Sequence, residues 1–190
     1  MMNIFEFWSQ IKRGETVHPA DREVFARINP EKHGFQLDCL PASYGGKLKT
    51  APVVFLFSSP GYSAFDLEDA QSEQGKETYA DDHGPGKAWL LSRTKSYASY
   101  EIARHYVATL NIGAYHSKDV KDYASLLALP SSRISLSWAQ DVLFPQAERG
   151  ERIVVCMRSA ARWGLETDRR YGESPFAPLV NRGGHLLKMT

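Results

Sequence analysis

The stretch from Pro52 to Phe65, Pro-Val-Val-Phe-Leu-Phe-Ser-Ser-Pro-Gly-Tyr-Ser-Ala-Phe, constrains the fold more than any other. Val53–Phe57 is a run of strand length without a polar position, the pattern of a strand covered on both faces. It stops abruptly at Ser58-Ser59-Pro60-Gly61-Tyr62, where Pro and Gly turn the chain. In an open α/β sheet, a polar and aromatic loop at the carboxyl end of a buried strand is a ligand position.

The theme recurs twice. Ile102, Tyr106 and Leu110 are helically spaced, but the apolar run beside them reads better as a helix to about His105 and a strand over Tyr106–Ile112. That strand empties into Asn111-Ile112-Gly113-Ala114-Tyr115-His116-Ser117-Lys118. A third buried strand is predicted at Arg152–Met157, running into Arg158-Ser159-Ala160, and a last one at Leu186–Met189 or around Phe176–Val180. Helices are predicted at Asn3–Arg13 with Asn3 as cap, at Pro19–Ile28, at Tyr123–Leu129 and at Ser159–Leu165. A longer helix starts at a Ser131 or Ser132 cap and turns Ile134, Trp138, Val142 and Leu143 inward. Phe35–Leu40 reads as extended chain and Tyr44-Gly45-Gly46-Lys47 as a turn or loop. Ser63–Gly86, with Glu68, Asp69, Glu73, Glu77, Asp81 and Asp82, reads as an acidic surface excursion. Apolar strands separated by helical patterns predict a three-layer α/β/α sandwich around a central, mainly parallel sheet of about four strands. The chain is expected to form one domain over residues 1–190, with the helical segment 1–50 packed on it.

Composition removes several function classes. The net charge is +1, so no global field draws the chain to nucleic acid or to an anionic membrane, and any phosphate contact has to be local. Cys39 and Cys156 fit no metal-ligand spacing; the simpler reading is two thiols in a reducing cytoplasm, with a disulfide left open. No segment is long and apolar enough to span a bilayer, and the first residues lack the basic region and apolar core of a signal peptide, so the expected location is cytoplasmic. P-loop, dinucleotide, nucleophile-elbow and zinc motifs are missing, so no cofactor and no metal is predicted. The sequence sets no oligomeric state.

In a parallel sheet the three strand ends share one edge. That edge would gather Ser58, Ser59, Pro60, Gly61, Tyr62 and Phe65 with Asn111, Tyr115, His116, Ser117, Lys118 and Arg158. Such a set can stack on a planar ring, hydrogen-bond its edge and neutralise a phosphate. The order and content of these segments resemble the uracil-DNA glycosylase superfamily. The resemblance rests on Val53–Phe57 entering Ser58-Ser59-Pro60-Gly61-Tyr62, on Leu110-Asn111 followed by Tyr115-His116-Ser117, and on Ile153–Met157 followed by Arg158-Ser159-Ala160-Ala161. Where the family has a carboxylate beside the first-loop Pro, this chain has Ser58 and Ser59, and Asp66 follows some residues later. His185 is the counterpart of the family's terminal His, without the Pro-Ser that follows it there.

The resemblance implies a cleft that removes or binds a flipped nucleobase, with DNA or a nucleobase-containing ligand as partner and no membrane. Tyr62 or Phe65 would stack the base, Asn111 would read its edge, His116 would donate to the leaving base and Asp66 would orient water. Lys118 or Arg158 would touch phosphate. The alternative is a catalytically inactive module of the same fold that binds nucleic acid, a nucleotide or a protein.

Overall fold

The computed structural model describes residues 3–77, 84–96, 98–157 and 159–165, together with the backbone of His185–Leu187. Helix α1, Ile4–Trp8, is opened by a capping box in which Asn3 and Glu6 take each other's orphan amides. It is shorter than the predicted Asn3–Arg13: after Trp8 the Gln10 and Ile11 amides bond back only three residues, to the Phe7 and Trp8 carbonyls, and the Lys12 amide goes to the Glu15 carboxylate. Pro19–Asp21 is a single 3-10 turn leading into α2, Arg22–Phe25, and α3, Pro30–His33, follows. Strand β1, Tyr44–Gly45, occupies what the sequence suggested was a turn, and β2 is Val53–Phe57. The acidic excursion is largely helical: α4 is Ala64–Gln71, α5 is Glu73–Glu77 and α6 is Gly84–Thr94. Helix α7, Tyr100–Tyr106, runs into β3, Val107–Asn111.

Helix α8, Tyr123–Ala128, precedes α9, Pro130–Trp138. Neither Ser131 nor Ser132 caps α9. Pro130 is its first residue, and the Ser131 amide donates to Asp21 Oδ1 at 3.0 Å from across the chain. A π-helical turn, Ala139–Leu143, joins α9 to α10, Phe144–Glu148. The inserted residue moves the inward stripe on by one position. Leu143 is therefore fully buried, while Val142, expected inside, is 36% exposed. Strand β4, Ile153–Cys156, is followed by a 3-10 turn at Ala160–Trp163, and β5 is His185–Leu187.

The five strands lie in the order β1-β3-β2-β4-β5. The central three are parallel, with Val54 opposite Ala108 and Val154, whereas both edge strands run antiparallel to their neighbours. The chain is thus of the α/β class with a mixed sheet, which corrects the expectation of a mainly parallel one. Both edge strands are too short to give a sequence period, and an antiparallel neighbour needs no helical crossover.

Alternation along the strands divides the interior. Val54, Leu56, Ala108, Leu110, Val154 and Cys156 face the main core, which also takes Ile4, Phe7, Trp8, Phe35 and Leu48 from the first fifty residues. On the opposite face Phe55 and Phe57 meet the Trp89 ring of α6, edge to face at 6.4 and 5.3 Å. The cluster behind Trp89 is small: Leu90, Tyr100 and Ala103. Among the described residues no helix is long and apolar enough to cross a membrane.

Candidate functional site

Backbone hydrogen bonds carry the pairing of β2 and β3 beyond the strands. The Ile112, Gly113 and Ser117 amides donate to the Phe57, Ser58 and Pro60 carbonyls at 3.1, 2.9 and 3.1 Å. A Cβ at Gly113 would stand 2.3 Å from Leu126 Cδ1 and would displace that buried side chain. The two loops are therefore fixed against each other, and His116 is delivered to Gly61.

His116 also forms a β-bridge with Gln36, so its neighbours alternate in direction. Tyr115 points inward and is fully buried; its hydroxyl donates to Asp21 Oδ2 at 2.6 Å and accepts from the His18 amide at 3.2 Å. Ser117 also points inward, donating to the Asp119 carbonyl at 2.7 Å. Only His116 of these three candidates faces the cavity described next. The same alternation affects the first loop: Ser59 lines the cavity, while Ser58 turns to the other face and hydrogen-bonds Ser159 Oγ at 2.6 Å. Ser159 holds a left-handed backbone, φ 69°, at this contact between the ends of β2 and β4.

The cavity, about 980 Å³, lies on the Phe57 face of the sheet. Ser59, Pro60, Gly61, Tyr62, Phe65, Asp66, Asn111 and His116, all expected at the site, line it. His116 Nδ1 donates to the Gly61 carbonyl at 2.6 Å and stands 3.6 Å from Asp66 Oδ1. A carbonyl can only accept, so Nδ1 carries the proton and Nε2 is the atom left for a ligand. Asp66 Oδ2 is committed elsewhere: it accepts from the Ser63 amide and hydroxyl, both at 2.6 Å, in the capping box that starts α4. Asp66 is thus placed to orient His116, and the water-orienting role expected for it has no free oxygen on the Ser63 side.

Asn111 is 6% exposed. Its Nδ2 donates to the Ala42 carbonyl at 2.7 Å, which fixes the amide orientation. Oδ1 takes no hydrogen bond from the described residues and is left as an acceptor for a ligand N–H. Lys118 stands outside the cavity lining, with its ammonium 5.7 Å from the Tyr62 ring centroid. Arg158 lies outside the described residues. The backbone of His185 pairs with Cys156, which puts that position at the same sheet edge as the ends of β2 and β3.

Several lining residues were not anticipated: Tyr44, Lys47, Phe57, Asp69, Trp89 and Arg104. Asp66 and Asp69 share a helix face by their i, i+3 spacing, the one local signal that pointed to Asp69. The rest come together only through non-local pairing. Cys39 is 1% exposed, and burial, with smaller contributions from Asp66 and Asp38, pushes its thiol up to about 11. No group of three His, Cys, Asp or Glu side chains among the described residues could hold a metal ion. The chain matches no family model, no curated protein and no solved structure.

Proposed function

We propose that the protein is a divergent uracil-DNA glycosylase-like enzyme, a three-layer α/β/α sandwich that takes a nucleobase into the cavity and cleaves its N-glycosidic bond. The observation that carries this reading is the tethered His116, with Asp66 3.6 Å from its Nδ1, sharing one cavity with the open Oδ1 of Asn111. Asn111 accepts from a ring N–H of the base, and Tyr62 and Phe65 supply aromatic surface beside it. With the imidazole doubly protonated, Asp66 is its counter-ion and Nε2–H faces the ligand. The base departs with the electron pair of the C1′–N bond and takes the Nε2 proton. Water adds to C1′ and releases its proton to solvent, and the ring regains a proton from solvent. Two buried free cysteines support a reducing, cytoplasmic setting.

A second reading, a binding module without catalysis, is favoured by two observations: Ser63 occupies Asp66 Oδ2, and the position beside the first-loop Pro is Ser59. Duplex and single-stranded oligonucleotides bearing uracil or hypoxanthine, and the corresponding free nucleosides, separate the two when free base and abasic sites are measured. Release that is lost in His116→Ala and reduced in Asp66→Asn supports the enzyme. Release that survives in His116→Ala sinks the mechanism, and binding without release from any substrate favours the module. If there is neither binding nor release, the nucleobase reading falls.

A further inference from the structure

The cavity extends well beyond the end that holds His116. Val107, Thr109 and Asn111, alternate residues of β3, all line it. Four residue steps along a strand place its two ends roughly 13 Å apart. The carboxyl end has Asn111, His116, Asp66 and Asp69. The amino end has Lys47 and Arg104; Phe57, opposite Asn111 in the register, adds aromatic surface at the carboxyl end, where its ring meets Trp89 edge to face at 5.3 Å.

The cationic end is built into the fold. Gly46, at φ +69°, brings the backbone so close to β3 that a Cβ would lie 2.7 Å from the Val107 carbonyl oxygen, which sets Lys47 beside the start of β3. Lys47 Nζ donates to His105 Nδ1 at 2.9 Å, so the ammonium is oriented and keeps two further protons to donate. Arg104 comes from the last turn of α7, with Glu101 3.7 Å from its Nε and the Tyr100 ring 6.0 Å from its guanidinium carbon.

We propose that the ligand is one whole nucleoside phosphate, with its base at Asn111 and His116 and its phosphate at Lys47 and Arg104. The proposal rests on the reading of the cavity as a nucleobase pocket and adds what the base is attached to. A volume of about 980 Å³ is that of a site enclosing an entire small molecule. Opposite charge at the two ends orients such a molecule: the phosphate is repelled by Asp66 and Asp69 and attracted by Lys47 and Arg104. A polymer is disfavoured, because α4 at the base end carries Asp66, Glu68 and Asp69 where flanking phosphates would run.

The test is calorimetric titration of the full chain with nucleoside 5′-monophosphates and 5′-diphosphates, with the parent nucleosides, and with a single-stranded oligonucleotide. At least one nucleotide should bind about tenfold or more tightly than its nucleoside, as a charge-assisted contact requires. That gap should shrink below about threefold in Lys47→Met and in Arg104→Gln, made separately and checked for folding by circular dichroism. Nucleosides binding as tightly as their phosphates would overturn the phosphate end and leave the nucleobase reading standing. The same holds for a gap that persists in both variants, or for an oligonucleotide that binds more tightly than any nucleotide. If no nucleoside and no nucleotide binds, both ideas fail together.

Discussion

Replacing Tyr115 by Phe removes one oxygen from the centre of the molecule, and its cost follows from the bonds that oxygen makes. The hydroxyl donates to Asp21 Oδ2 at 2.6 Å and accepts from the His18 amide at 3.2 Å; all three residues are fully buried. Loss of a hydrogen bond to a carboxylate costs about 1.5–3 kcal/mol. The stranded His18 N–H adds about 1–3 kcal/mol of unmet desolvation. Asp21 Oδ1 keeps the Ser131 amide at 3.0 Å, so the carboxylate is not left wholly without partners. The sum is about 2.5–6 kcal/mol, and for a chain of this size it should lower the thermal midpoint by at least about 5 °C. Thermal unfolding followed by circular dichroism measures it, with urea unfolding as a check on two-state behaviour. A midpoint within about 2 °C of the parent would refute the reasoning. It would mean that His18, Asp21 and Tyr115 do not hold the amino-terminal segment and α9 to the core.

Three further outcomes follow from local geometry. With Cys39 raised to about 11 and both cysteines buried, a thiol reagent at neutral pH should leave the folded protein unmodified and label both thiols in denaturant; prompt labelling of native protein contradicts this. Burial holds His33 below its usual value of 6.5, with Asp122 opposing in part. The unfolded chain therefore takes up the proton first, so this contribution to stability is complete above about pH 6.5 and is lost as pH falls through the lower folded-state value. His33→Asn should flatten that limb of a urea-midpoint profile, and an identical slope in parent and variant would exclude His33 as its source. Gly46→Ala forces a side chain into a left-handed position, φ +69°, against the Val107 carbonyl oxygen, and should cost at least about 1–2 kcal/mol. Gly61→Ala, with nothing within 4 Å of the added carbon, is the control and should be close to neutral in urea unfolding.

What could be read from the sequence was what is local. Val53–Phe57 is apolar throughout, and strand β2 has those bounds. β1 was missed because Tyr44–Gly45 has no period and becomes a strand only by pairing with Leu110 and Thr109. Val142 was placed inside because a regular helix returns to the same face after four residues, and the π-turn makes that five. The Ser63–Asp66 spacing is a local capping-box signal for the start of α4 that the reading of Ser63–Gly86 as an acidic excursion does not use. At the site, the loops after β2 and β3 supplied the right neighbourhood and too many residues. Extended backbone at Tyr115–Ser117 sends alternate side chains to opposite sides, so a cluster that is contiguous in sequence is not contiguous in space. Lys47, Trp89 and Arg104 reach the cavity from elements far apart along the chain, which no local pattern could have joined.

The unequal covering of the two sheet faces has a consequence for access. The face behind Val54 and Leu56 is covered by the main core, whereas among the described residues α4 buries only Ala70 on the cavity side and the cluster under α6 and α7 is Leu90, Tyr100 and Ala103. Free energy of local opening follows the apolar area that an element gives up. The amides of the cavity wall are therefore expected to exchange through sub-global openings, and those of the central strands only on complete unfolding, which hydrogen exchange measures. A ligand that spans Phe65 on that wall and Asn111 on the floor should slow those openings, so higher amide protection in α4 is the expected sign of occupancy.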